Sequence, residues 1–157
     1  MRRLQIDPGA LRGVVLPAGA SDVLLPNAAV AEVLAYQPPH RLPDTPPWLL
    51  GMLRWREREV PVVSLSAASD PPEPAVPGRR ARLAVCFSPD GNPELPYLGL
   101  LCVGSPRLAR FAAETLEPAA ERPANPFVLH ALTFAERPAW IPDLDALERA
   151  ILDALAS

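Results

Sequence analysis

Trp48–Leu65 reads WLLGMLRWREREVPVVSL, and the way this stretch folds decides the rest of the chain. Its two ends are apolar while its middle, Arg54 to Glu59, is charged, which suits two buried strands joined by a solvated turn better than one helix. Pro61 points the same way, because proline breaks a helix interior but is tolerated at an edge strand or strand start. The stretch also recurs. Displacing the chain so that Trp48 meets Phe127, an offset of 79 (127 − 48), brings Leu50, Leu53, Glu57, Arg58, Leu65 and Ala67 onto Leu129, Leu132, Glu136, Arg137, Leu144 and Ala146 without a gap. Trp55 then falls on Phe134. Matching aromatic and leucine positions at one fixed offset indicate a duplicated supersecondary unit.

Working outward, Gly13 to Ala18 and Val23 to Pro26 read as short strands joined by Gly19-Ala20-Ser21-Asp22. Asn27 is placed to cap a short helical or bent segment, Ala28 to Leu34, with Val30, Val33 and Leu34 on one face. Tyr36 to Pro47 carries five prolines and is expected to run extended along the surface. On the other side, residues 66–80, SAASDPPEPAVPGRR, form a mobile proline-rich loop between the repeated halves. Ala81 to Ser88 and Tyr97 to Val103 make a further hairpin around Pro89-Asp90-Gly91-Asn92-Pro93. Leu108, Phe111 and Ala112 are the counterpart of Val30 to Leu34, and Glu117 to Pro126 is another proline-interrupted loop. Asp145 and Glu148 resemble a capping box, opening a helix over 143–157 with a stripe of Leu147, Ala150, Ile151, Ala154 and Leu155.

The expected fold is therefore mostly β: two small barrels, each built around one copy of the hairpin and packed along a shared apolar seam, with short helices and a C-terminal helix. The 157 residues form a single domain, its lobes running over roughly 13–66 plus C-terminal elements and over 81–142.

Composition excludes several function classes. Apolar residues make up 49% of the chain, yet no apolar run approaches the ~20 residues that span a bilayer. Met1-Arg2-Arg3 imitates the start of a signal peptide, but Asp7, Pro8, Gly9 and Arg12 interrupt the apolar core it would need, so a cytoplasmic location is expected. Net charge is −3 and all fifteen basic residues are arginine. Arg54, Arg56 and Arg58 are interleaved with Glu57 and Glu59 around a turn, which describes a solvated hairpin tip rather than a nucleic-acid stripe. Cys86 and Cys102 read as buried free thiols. Neither they nor His40 and His130 stand at a spacing that marks a triad or a metal site, so no catalytic residue, metal or cofactor is expected.

Gly51, two apolar residues, then Arg56, Val60, Pro61, Val62, Val63 and Leu65 resemble the CheW family of bacterial chemosensory adaptor proteins. The family's usual run is Gly, two apolar residues, Asn-Leu-Arg-Gly, two variable positions, then Val-Pro-Val-Val-Asp-Leu. Here Arg54 replaces the Asn, Trp55 the Leu, Glu57 the turn Gly and Ser64 the Asp. The likeness extends from about Gly13 to the C-terminus, and includes Leu98 to Gly104, where Val103 stands in place of an Asp. It implies two lobes of the SH3-like five-stranded barrel type and a non-enzymatic adaptor coupling chemoreceptors to a CheA-type histidine kinase. The outer strands of the lobes would meet the kinase's regulatory domain, and a groove between the lobes would take the receptor's helical cytoplasmic tip. Carried over by motif, the partner-binding positions are Val30, Glu32, Val33, Gly51, Arg56, Leu101 and Leu108. Two other readings are a protein of the same fold with a different partner and a small β-barrel enzyme using the lone cysteines or histidines.

Overall fold

The computed structural model describes residues 10–156; the signal-peptide reading at Met1 to Gly9 lies outside them. Among the described residues eleven strands and one α-helix follow one another: β1 Ala10–Pro17, β2 Asp22–Pro26, β3 Val30–Ala35, β4 Leu49–Trp55, β5 Arg58–Val63, β6 Arg82–Phe87, β7 Tyr97–Cys102, β8 Arg107–Ala112, β9 Glu117–Pro118, β10 Val128–Phe134, β11 Arg137–Pro142 and α1 Leu144–Ala156. Tight turns set the strand ends. At Arg56-Glu57 and again at Ala135-Glu136 both central residues take positive φ, between 49° and 63°, the two-residue connection whose twist matches that of paired strands. The repeat offset of 79 thus carries β4 and β5, turn included, onto β10 and β11.

One sheet has the order β3-β6-β7-β5-β4 and the other β8-β1-β2-β11-β10-β9. Under the repeat these orders are the same, with β9 as an addition. Each sheet holds one parallel pair, β5 with β7 and β2 with β11, and both pairs join strands from opposite halves of the chain. The sheets therefore mix strands of the lobes expected over 13–66 plus C-terminal elements and over 81–142. One lobe takes three strands from the first half and two from the second; the other takes two from the first and the rest from the second. The hydrophobic pattern explains the arrangement. Strands such as Leu83–Cys86 and Val14–Leu16 are apolar without interruption because both of their faces are covered. Leu53, Val62, Leu83 and Leu101 fill one lobe, and Val15, Leu24, Phe111 and Ala139 the other. The alternate positions, among them Val14, Leu16, Ala84, Cys86, Val63 and Leu98, face a larger shared core. Leu147 and Ile151 of α1 close that seam. Trp48 and Phe127, equivalent residues of the two repeats, meet there edge to face with ring centroids 4.9 Å apart.

Three local expectations are corrected. Only Asn27–Ala29 forms a 3-10 turn; Val30 to Ala35 is strand, hydrogen-bonded to the edge of β6, and Asn27 makes no side-chain cap. A six-residue segment with a few apolar positions fits either period, and an open sheet edge decides it. The helix is capped by Asp143, whose Oδ1 accepts the Ala146 N–H at 3.0 Å, rather than by a box of Asp145 and Glu148. The start of the 66–80 loop is pinned rather than mobile: Ser66–Ala68 is a 3-10 turn, Asp70 N–H donates to Ala124 O at 2.8 Å, and Asn125 Nδ2 donates to Leu65 O at 2.8 Å.

Candidate partner-binding groove

Equivalent strands β3 and β8 each form one edge of their own sheet, and an edge strand keeps unpaired backbone groups and outward side chains free. The two edges converge. Between them lies an open groove of about 240 Å³ lined by Val14, Asn27, Val30, Ala31, Glu32, Val33, Pro106, Arg107 and Leu108. A neighbouring hollow of about 300 Å³ shares Asn27 and Leu108 and adds Arg12 and Arg110, which face each other in the β1–β8 register. The floor is apolar and one end is basic. Leu108 is 77% exposed and Val33 40%, values that a folded chain leaves on apolar side chains without needing them for its own core.

Of the positions carried over from the family, Val30, Glu32, Val33 and Leu108 come together in this groove. Arg56 stands beside it, on the β4–β5 turn. Its Nη2 donates to Glu32 Oε1 at 2.9 Å, and its guanidinium lies 4.6 Å from the centre of the Trp55 ring. Trp55 Nε1 donates to the same oxygen at 3.0 Å. Since Glu32 is on β3 and Trp55 on β4, the opposite edges of one sheet, these bonds close that curled sheet and tie the turn to the groove wall. Arg56 pairs with Glu32 and not with its neighbour Glu57.

Leu101 and Gly51 lie elsewhere. Leu101 is 4% exposed and packs with Leu53, Val62 and Leu83 inside its lobe, so it is core rather than groove. Gly51 is buried at a bulge in the β4–β5 register with φ of 144°, and an added Cβ would overlap the His40 carbonyl. That close approach lets His40 and Met52 exchange two backbone hydrogen bonds, of 2.7 and 2.8 Å, which cover the outer edge of β4.

Arg107 escaped the sequence reading. It sits on the groove wall because buried Asp22, at the start of β2, accepts from Arg137 Nε at 3.1 Å and lies 3.8 Å from Arg107 Nη2. The Asp22 hydrogen bond also holds the Arg137 guanidinium protonated more firmly than usual. The signal was there in the run RLARFA, whose arginines precede each apolar pair, but only the β8 edge shows where they point.

The residues an enzyme reading would need are scattered. His40 and His130 are exposed on strand edges. Cys86 and Cys102 are buried in the seam, where burial pushes both thiols up to about 12, leaving almost no thiolate at neutral pH. They oppose Leu98 and Arg82 respectively rather than each other, and both are free. No described helix is long and apolar enough to cross a membrane.

The structure of the scaffolding protein TtCheW from Thermoanaerobacter tengcongensis is similar to this fold, with a TM-score of 0.70 over 90% of each chain at 16% identity. No curated protein matches the sequence. The sequence model of the CheW-like domain, in contrast, matches residues 12–151. Match and fold agree on one assignment: the chain belongs to the CheW-like domain family.

Proposed function

We propose that this protein is a non-enzymatic adaptor that couples the helical cytoplasmic tip of a chemoreceptor to the regulatory domain of a CheA-type histidine kinase, in the cytoplasm and without entering the membrane. The observation that carries the reading is the groove between β3 and β8, with exposed Val33 and Leu108 on its floor and Glu32, Arg56 and Arg107 around its rim. A helix laid in such a groove buries a few apolar anchors, while rim charges fix its direction. A partner helix with apolar residues at i, i+3 or i+4 and an acidic end matches the Arg12–Arg110 side.

The test is titration of the protein with a receptor tip fragment and, separately, with the kinase regulatory domain. Saturable binding of both at once supports coupling. Failure to bind either leaves the family's fold serving some other partner and sinks the proposal. Replacing Cys86, Cys102, His40 and His130 together should leave both affinities unchanged, whereas an enzyme built on those groups would lose its activity.

A further inference from the structure

Away from the groove, three carboxylates from two distant parts of the chain meet at the N-terminal end of α1. Asp90 lies in the turn between β6 and β7; Asp145 and Glu148 lie in the first turns of the helix. One oxygen of each falls within 4.8 Å of the other two. Asp90 and Asp145 are exposed, but Glu148 is only 5% exposed, and its Oε2 is fully buried without a hydrogen-bond partner. A carboxylate in that position costs free energy unless something positive shares the site. Burial, and then Asp90 and Asp145, hold the Glu148 carboxyl above its ordinary range, while Arg149 opposes them without reversing the effect. The helix end itself is occupied by its own cap, since Asp143 Oδ1 takes the Ala146 N–H.

We propose that Asp90, Asp145 and Glu148 bind a divalent cation of the calcium type, which fastens the β6–β7 turn to α1. All three donors are hard oxygens, which suit Ca²⁺ or Mg²⁺ and not the softer transition metals. Ligand number separates the two: Ca²⁺ accepts several carboxylates in a flexible shell, whereas Mg²⁺ gives up its waters reluctantly and is usually held by one or two carboxylates. The exposed sides of Asp90 and Asp145 leave room for the waters that complete the larger ion's shell. The ion neutralises the repulsion among the three groups and gives the buried Oε2 a ligand. Because α1 closes the apolar seam through Leu147 and Ile151, a clamp at its first turns stabilises the whole chain.

The experiment is calorimetric titration of the chelator-stripped protein with CaCl₂ and, in parallel, MgCl₂, followed by thermal melts in each salt and in NaCl of equal ionic strength. The expected result is Ca²⁺ binding with Kd of about 0.1–1 mM and a melting point about 4–8 °C higher at 10 mM Ca²⁺. Asp90→Asn, on an exposed turn, and Glu148→Gln should each weaken binding at least tenfold. Absence of binding by the unsubstituted protein overturns the proposal and leaves a shared proton as what relieves the cluster. A melting-point rise that NaCl reproduces, or that both variants retain in full, overturns it too. So does a preference for Mg²⁺.

Discussion

Arg56 and Glu32 are 24 residues apart in sequence and 2.9 Å apart in space, joined across the two edges of one sheet by a bond that also sets the direction of the arginine. An ion pair this exposed contributes only ~0–1 kcal/mol to stability. Its value lies in orientation, because Glu32 and the Trp55 ring together fix a guanidinium whose side chain stays 67% exposed. Arg56→Ala is therefore expected to weaken binding of the receptor tip or the kinase domain about tenfold, ~1.4 kcal/mol, with little change in melting temperature. Glu32→Ala should have a similar effect, and the double variant should lose less than the sum of the two. Unchanged affinity for both partners in Arg56→Ala would show a solvated turn residue and nothing more.

Leu108 and Leu101 are chemically identical and opposite in surroundings. Leu108→Glu should leave the denaturation midpoint within ~0.5 kcal/mol of the parent and reduce receptor binding at least tenfold, since its side chain contacts solvent. Leu101→Ala should lose ~2–5 kcal/mol of stability to the cavity it leaves. Urea titrations combined with binding measurements separate the two; destabilisation by Leu108→Glu would remove that residue from the groove surface.

Glu57 holds φ of 62° where glycine would sit without strain. A side chain in that conformation costs about 1 kcal/mol, partly offset because glycine gains freedom in the unfolded chain. Glu57→Gly is expected to stabilise the protein by up to about 0.5 kcal/mol in chemical denaturation. A loss of stability would mean that the Glu57 side chain contributes to the turn.

At Gly51 the sign is reversed. Its φ of 144° and the His40 carbonyl beside it leave no room for a Cβ. Gly51→Ala should cost about 2–4 kcal/mol and expose the amides of Met52 and His40 to hydrogen exchange. Protection unchanged at those two amides would show that the edge cover does not depend on the glycine.

Glu148 makes stability depend on pH. Its folded-state pKa lies above the ordinary value of 4.5, so below that value the folded and unfolded chains both carry the proton and no penalty exists. As pH rises from 4.5 through the raised value, the unfolded chain ionises first and stability falls. In chelating buffer Glu148→Gln should therefore melt with the parent at pH 4 and above it at pH 7. A gap that does not vary with pH would exclude ionisation of Glu148 as its cause.

The hairpin and its copy were legible because they are local: turn residues and apolar runs at one offset identify β4, β5, β10 and β11, although the charged turn expected over Arg54 to Glu59 contracts to Arg56-Glu57. The same offset also carries His40 onto Ala119, and both supply a backbone N–H to the outer strand, to Met52 O at 2.7 Å and to Ala131 O at 3.0 Å. Which strands would share a sheet was not legible. The parallel pairs Val62–Gly99 and Val63–Leu100 depend on partners far along the chain, and no periodicity encodes them. For the groove, Val30 and Leu101 were indistinguishable by type and spacing. They differ only in that Val30 lies on an edge strand and Leu101 on an interior strand of the same sheet, with its side chain turned inward. Asp143 was overlooked as a cap because Asp145 and Glu148 fit a familiar pattern two residues later.

The exchange of strands between halves has a consequence for how the chain assembles during synthesis. Val15 pairs with Arg107, 92 residues further on (107 − 15), so the first hairpin must wait for two thirds of the chain before its sheet can begin to close. The three strands β3 to β5 likewise lack β6 and β7 until after the 66–80 loop has been made. Neither half can complete a sheet alone, and pairing over such separations is slow. Cutting the peptide within 74–79 should therefore leave two fragments clasped around each other. Each fragment on its own would expose the edges that the other covers.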